Sequence, residues 1–292
     1  MERVRQITRV NEAHKLGYIG NNVTVAVMDT GIGTHIDFGQ RIRGFRDYVG
    51  DKKILYDDNG HGTHVSGIIA GSGFASHGRY RGMAPGAAIY AIKVLDRMGK
   101  GNTRLVVSAL KWLISNYEKM NIRILNISVG MLASARREEQ EELLAAIEAV
   151  WDAGIVVVAA AGNNGPRDKS ITIPGLCRKI ITVGSSDDEE GEVKNLGLMR
   201  GYSGRGPTEA CIMKPEVVAP GTAIVSCKRM GNGYEMKSGT SMATPAVAVL
   251  LSRYSNLKPA EVKLRLYETS VDTGKSKHAQ GWGRLDVMQL IR

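Results

Sequence analysis

Val23-Thr24-Val25-Ala26-Val27-Met28-Asp29-Thr30-Gly31 is the stretch that decides the fold. Six apolar or β-branched residues run without a break into a carboxylate, and a threonine and a glycine close the run. A strand with one wet face alternates apolar and polar residues. A strand covered on both faces does not, so this one reads as a central strand of a parallel sheet. The pattern repeats outward along the chain, with apolar runs at Ala88 to Val94, Ile122 to Val129, Ile155 to Ala161 and Ile180 to Gly184. Helical patterns separate them: a small-residue segment from about His61 to Ala70, then Leu105 to Tyr117. Arg137 to Trp151 follows, with Leu143, Leu144, Ile147, Val150 and Trp151 marking one face. Ala243 to Tyr254 reads as an apolar helix, and Pro259 to Tyr267 as a helix with proline in its first turn. Continuous apolar strands alternating with helices predict an α/β fold of three layers, a mostly parallel central sheet with helices on both faces. No repeat, low-complexity tract or linker divides the chain, and its 35 glycines fall in short loops, so a single domain over 1–292 is expected.

Composition narrows the function classes. The net charge is +10, but lysines and arginines are scattered in short doublets such as Arg136-Arg137, with no basic run interleaved with aromatics. A nucleic-acid groove is therefore not indicated. No segment approaches the ~20 apolar residues of a membrane span. Met1 to Leu16 is charged and mixed, unlike a secretory signal. Cys177, Cys211 and Cys227 form no CxxC pair, so neither a disulfide framework nor a zinc site is signalled. Three small core thiols in a reducing cytoplasm are the expectation.

In parallel sheets ligands collect beyond the carboxyl ends of the strands. Four polar residues stand among glycines, two of them directly after strands. Asp29 closes the first strand, and Asn163 follows another in Ala160-Ala161-Gly162-Asn163-Asn164-Gly165. His61 opens a helix in Gly60-His61-Gly62-Thr63-His64-Val65, as Ser241 does in Gly239-Thr240-Ser241-Met242-Ala243-Thr244-Pro245. A serine hydroxyl is a poor nucleophile until a base takes its proton. An imidazole does so near neutral pH, a buried carboxylate fixes its tautomer, and a side-chain amide receives the developing negative charge. Taken singly, each residue has a plainer role. Asp29 and Asn163 suit turns, and Ser241 suits a helix cap. Two other patterns fail. Ile36 stands where a dinucleotide loop after Gly31-Ile32-Gly33 needs its third glycine, and Thr269 stands where a phosphate loop ending Gly274-Lys275-Ser276 needs its first.

Together the segments resemble the subtilisin superfamily of serine proteases, in particular its intracellular bacterial type. The resemblance spans almost the whole chain. It includes Val27 to Gly31, His61 to Val65, Asn126 to Gly130, Ala161 to Asn163, Tyr202 to Pro207, Val218 to Gly221 and Gly239 to Pro245. It implies the three-layer subtilisin-like fold, with Asp29, His61 and Ser241 as a triad and Asn163 with the Ser241 N–H as the oxyanion hole. Ser128, Val129 and Gly130, with Ala161 and Gly162, would line the substrate site on one side, and Gly99, Lys100 and Gly101 on the other. A peptide or unfolded protein held between two strands is bound through its main chain, which implies broad specificity. No cofactor is implied for the chemistry.

Departures from the family pattern set further expectations. Ala246 replaces a common histidine, and Thr103 stands where relatives often carry an aromatic over S4. Thr172 and Asn164, expected near S1, are not acidic, which points to a mid-sized apolar P1 residue. The loop from Gly73 to Gly82 looks short for the structural calcium of secreted relatives, although Asp37 matches one ligand. His64 is expected to be structural, and His14, His35, His77 and His278 to lie at the surface. The chain begins almost at the catalytic domain, without the pro-segment many relatives carry. A dedicated processing protease, a catalytically silent peptide-binding module and a homo-oligomer all remain compatible with the sequence.

Overall fold

The computed structural model describes residues 1–128, 136–189, 200–244 and 256–292. Seven strands form one parallel sheet: β1 (Thr24–Asp29), β2 (Ile42–Asp47), β3 (Ala88–Lys93), β4 (Ile122–Ile127), β5 (Val156–Ala160), β6 (Ile181–Ser185) and β7 (Val217–Ala219). Their order across the sheet is β2-β3-β1-β4-β5-β6-β7. The chain therefore builds outward from β1 to one side and then to the other, which makes the carboxyl end of β1 the switch point where a ligand crevice opens. Asp29 is the last residue of β1.

Every residue of β1, β5 and β6 is buried. Successive side chains of a strand point to opposite faces, so both faces are covered. The main helices are α3 (His61–Ala70), α4 (Thr103–Asn116) and α5 (Arg137–Asp152), preceded by two short ones, α1 (Glu2–Ile7) and α2 (Val10–Lys15). α4 and α5 pack on each other, while α3 lies against β1 and β3. A helix at Pro259–Thr269 matches the expected start at Pro259. The four-residue helix α6 (Thr240–Ala243) carries Ser241, and most of the expected Ala243 to Tyr254 helix lies outside the described residues.

α1, α2, β2, β7 and a separate antiparallel pair of strands were absent from the sequence reading. β2, Ile-Arg-Gly-Phe-Arg-Asp, is an edge strand in which only Asp47 is buried, so it lacks the apolar run that marks the inner strands. β8 (Ile224–Cys227) and β9 (Tyr234–Lys237) form a separate antiparallel pair. Its four-residue strands are too short for periodicity to show.

Candidate active site

Asp29 is fully buried, and its two carboxylate oxygens lie 2.8 and 2.9 Å from Nδ1 of His61. That contact makes Nδ1 the protonated nitrogen and leaves Nε2 as the base, on a His61 side chain that is 25% exposed. The backbone N–H of Thr30 also donates to Asp29 at 2.7 Å, which holds the carboxylate in place.

His61 sits in the first turn of α3 because Asp57 and Asn59 build that turn. Asp57 accepts from the Thr30 and Thr63 hydroxyls and from the backbone N–H groups of Asn59, Gly60 and Thr63, at 2.6–3.1 Å. Burial works against its charge, yet these donors, led by the Thr63 hydroxyl, bring its pKa below the usual carboxylate value. Asn59 accepts from His61 N at 3.1 Å. The sequence reading missed both residues. The signal was present, since Asp57-Asp58-Asn59-Gly60 directly before a helix start is a capping pattern. A third missed residue is Lys93, fully buried at the end of β3. It donates to Thr30 O, Leu95 O and Asp58 Oδ1, each at 2.7 Å, and so fixes the backbone just beyond Asp29.

Ser241 is 8% exposed, and its hydroxyl donates to the Ser128 carbonyl oxygen at 2.5 Å. The Ser128 hydroxyl in turn donates to the Ser241 carbonyl at 3.2 Å. No hydrogen bond joins Ser241 to His61 among the described residues, so the hydroxyl must turn from carbonyl to imidazole before it can react. Asn163 is exposed, and its side-chain oxygen accepts from the Thr240 N–H at 3.0 Å and the Thr240 hydroxyl at 3.2 Å. With the oxygen occupied, the amide NH2 group is the free end, next to the residue that precedes the serine turn. A Cβ built on Gly239 would lie 3.2 Å from that nitrogen. Gly239 (φ 147°) is thus required for close approach as well as conformation.

The other expected substrate-side residues divide. Ala161 and Gly162 adjoin the site, but their main-chain groups are engaged. Ala161 O accepts from Thr172 N at 3.0 Å, and Gly162 N donates to the Thr240 hydroxyl at 3.1 Å. The Thr172 side chain packs against Gly162. Gly99, Lys100 and Gly101 form a turn held by Asp96, whose side chain accepts from Met98 N and Lys100 N, and Gly101 bridges antiparallel to Leu95. Val129, Gly130 and Ala246 lie outside the described residues. Thr103 is 5% exposed at the start of α4.

His64 is structural. Its Nε2 lies 3.0 and 3.2 Å from the carbonyl oxygens of Ile224 and Glu235, to which it donates. Burial, reinforced by Lys237 and His61, drives its pKa down to about 3, so it stays neutral. Two surface expectations are corrected. His35 is 5% exposed, because it packs edge-on against Phe38 and Tyr234, and His14 is half-buried with Nε2 on Met83 O. Cys211 is exposed, whereas Cys177 and Cys227 are core residues.

Calcium does not fit the residues around Asp37. That carboxylate accepts from Gly73 N (3.1 Å), Ala75 N (3.0 Å) and the Tyr234 hydroxyl (2.8 Å). Its titratable neighbours are an imidazole and a thiol, whereas calcium needs six to eight oxygens. Among the described residues, no helix is long and apolar enough to cross a membrane.

Comparison with known proteins agrees with this geometry. The model of the Subtilase family matches residues 20–283. Serine protease AprX of Bacillus subtilis (strain 168) is 41% identical over 286 residues, covering 90% of this chain; the chain spans 64% of the length of that protein. Subtilisin DY of Bacillus licheniformis is 32% identical over 288 residues, 96% of this chain and 95% of that protein. Among solved structures, Sphericase superposes with a TM-score of 0.77 at 27% identity, covering 92% of each chain.

Proposed function

The chain belongs to the subtilase family and carries a subtilisin-like serine protease domain, and from that premise we propose that it is an endopeptidase of broad specificity acting through an acyl-enzyme. The observation that carries this reading is His61 Nδ1 within 2.9 Å of both carboxylate oxygens of buried Asp29, on the helix next to the serine turn. His61 Nε2 takes the Ser241 proton as Oγ attacks the substrate carbonyl carbon. The oxyanion is received by the Asn163 amide and the Ser241 N–H. Collapse expels the amine, which takes the proton from His61, and water then releases the acyl group by the same route in reverse. Asp29 orients the imidazole and stabilises its charged form. Non-acidic Thr172 beside Gly162 supports a mid-sized apolar P1 residue, and the three free thiols support a reducing compartment.

The test is labelling by a fluorophosphonate probe. Modification of Ser241 that disappears in His61→Ala is expected, whereas folded protein that does not label would make the fold a peptide-binding module. Unfolded casein separates broad from dedicated proteolysis: cleavage at many sites is expected, and an active but casein-inert enzyme would mark a processing protease. A peptide library cut only after Lys or Arg would overturn the P1 reading.

A further inference from the structure

Outside this machinery lies a buried cluster of three different donors. His35, Asp37 and Cys227 are 5%, 0% and 1% exposed, and one ligand-type atom of each lies within 4.8 Å of the others. His35 Nδ1 is 3.8 Å from Asp37 Oδ1, and Cys227 Sγ is 3.8 Å from Asp37 Oδ2. His35 Nε2 lies 2.9 Å from the Gly233 carbonyl oxygen and donates to it, so Nδ1 carries the lone pair, which accepts from Asp37 N at 3.1 Å. An imidazole with one N–H fixed on a carbonyl is oriented as metal-ligating histidines are, and an ion would take over the Nδ1 lone pair from the Asp37 N–H.

We propose that His35, Asp37 and Cys227 form a binding site for a divalent ion of the zinc class. Imidazole nitrogen, thiolate sulfur and one carboxylate suit zinc and are a poor set for calcium. Tetrahedral bonds of roughly 2.0–2.3 Å put donor atoms about 3.3–3.7 Å apart; one donor atom of each residue already lies within 4.8 Å of the other two, so side-chain shifts of about an ångström bring the set to bonding distance. A water takes the fourth position, and the Tyr234 hydroxyl, which donates to Asp37 Oδ2 at 2.8 Å, holds the carboxylate in place. On binding, the Cys227 S–H bond breaks, the sulfur joins the ion and the proton passes to solvent; nothing is oxidised or reduced.

The ion would tie three segments behind the catalytic helix. Asp37 already holds the loop at Gly73 and Ala75, and Cys227 ends β8. α3 packs over the same thiol, for a Cβ on Gly67 would lie 2.8 Å from Sγ. The site is independent of the protease reading, since none of the three residues belongs to the reacting set.

The experiment uses the full chain carrying Ser241→Ala, which removes self-digestion, expressed with added zinc and purified without chelator. About one zinc per chain is expected, falling at least tenfold in Cys227→Ser and in His35→Gln and unchanged in Cys211→Ser. Cobalt(II) in place of zinc should give thiolate-to-metal absorption that Cys227→Ser abolishes, and zinc but not calcium should raise the thermal midpoint. If the Cys227 and His35 variants fail to fold, the cobalt spectrum of the parent decides. No bound metal and no thiolate–cobalt absorption in the parent would overturn the proposal, as would zinc retained in full by folded Cys227→Ser.

Discussion

Two opposing influences act on the proton affinity of His61. Burial lowers its pKa, and the charge and hydrogen bond of Asp29 more than reverse this, so the net shift is upward from the ordinary imidazole value. Catalysis requires the neutral ring. The acid limb of kcat/KM should therefore lie above pH 6.5, and a pH–rate profile with its limb below pH 6 would contradict this. Asp29→Asn should move the limb down and lower kcat by about 10⁴-fold, since the ring loses its fixed tautomer. Asn163→Ala should lower kcat by about a hundredfold or more with little change in KM, because its amide acts on charge present only in the transition state. His64 titrates in the opposite sense. Its folded pKa of about 3 lies below the unfolded value, so its contribution to stability is full above the unfolded pKa and falls as the pH drops toward 3. Between pH 7 and 5 this is about 2 kcal/mol. Urea unfolding in the Ser241→Ala background should show that loss, and it should be absent from a folded His64→Gln variant.

At the scale of elements, the fit of α3 against the end of β1 sets the distance between base and carboxylate. Gly62 makes the approach possible. A Cβ there would meet the Gly31 carbonyl oxygen at 2.2 Å and the Asp29 side chain at 3.1 Å. Gly62→Ala should cost about 1–3 kcal/mol and reduce kcat, since α3 must move away from Asp29. Urea midpoints and single-turnover rates check both parts, and a fully active, fully stable variant would contradict the account. The inner strands were legible because burial on both faces leaves an unbroken apolar run. β2 was not, because four of its six residues are Arg, Gly or Asp and its place at the sheet edge demands no such run. The hairpin β8–β9 escaped for a related reason: it supplies the carbonyls that hold His64 and Cys227 of the buried cluster, roles that leave no periodic trace.

Across the whole molecule, a buried ionic knot joins the far side of the sheet to the helix Pro259–Thr269. Glu216 binds Lys214 at 2.7 Å and Lys263 at 2.8 Å and accepts from Thr182 N at 2.7 Å, linking β6, the start of β7 and the helix Pro259–Thr269. Burial depresses the pKa of Lys214, and Glu216 opposes that shift. Lys214→Met should destabilise by about 3 kcal/mol, because a buried carboxylate loses its nearest cation. An unchanged urea midpoint would show that Lys263 suffices.

The sequence alone determined the parallel α/β architecture and which residue types were available for nucleophile, base, carboxylate and amide. Burial writes strands as local apolar runs, and glycine marks the points where backbone must come close. Only the tertiary structure decided which of these groups meet. It set the His61 tautomer through Asp29, turned the Ser241 hydroxyl onto the Ser128 carbonyl, and gave the Asp37 carboxylate to two amides and a phenol in surroundings unsuited to calcium. It also buried His35, which the sequence offered as a surface residue. A hydrogen bond depends on tenths of an ångström between segments distant in the chain, and no local pattern of residue types encodes that distance.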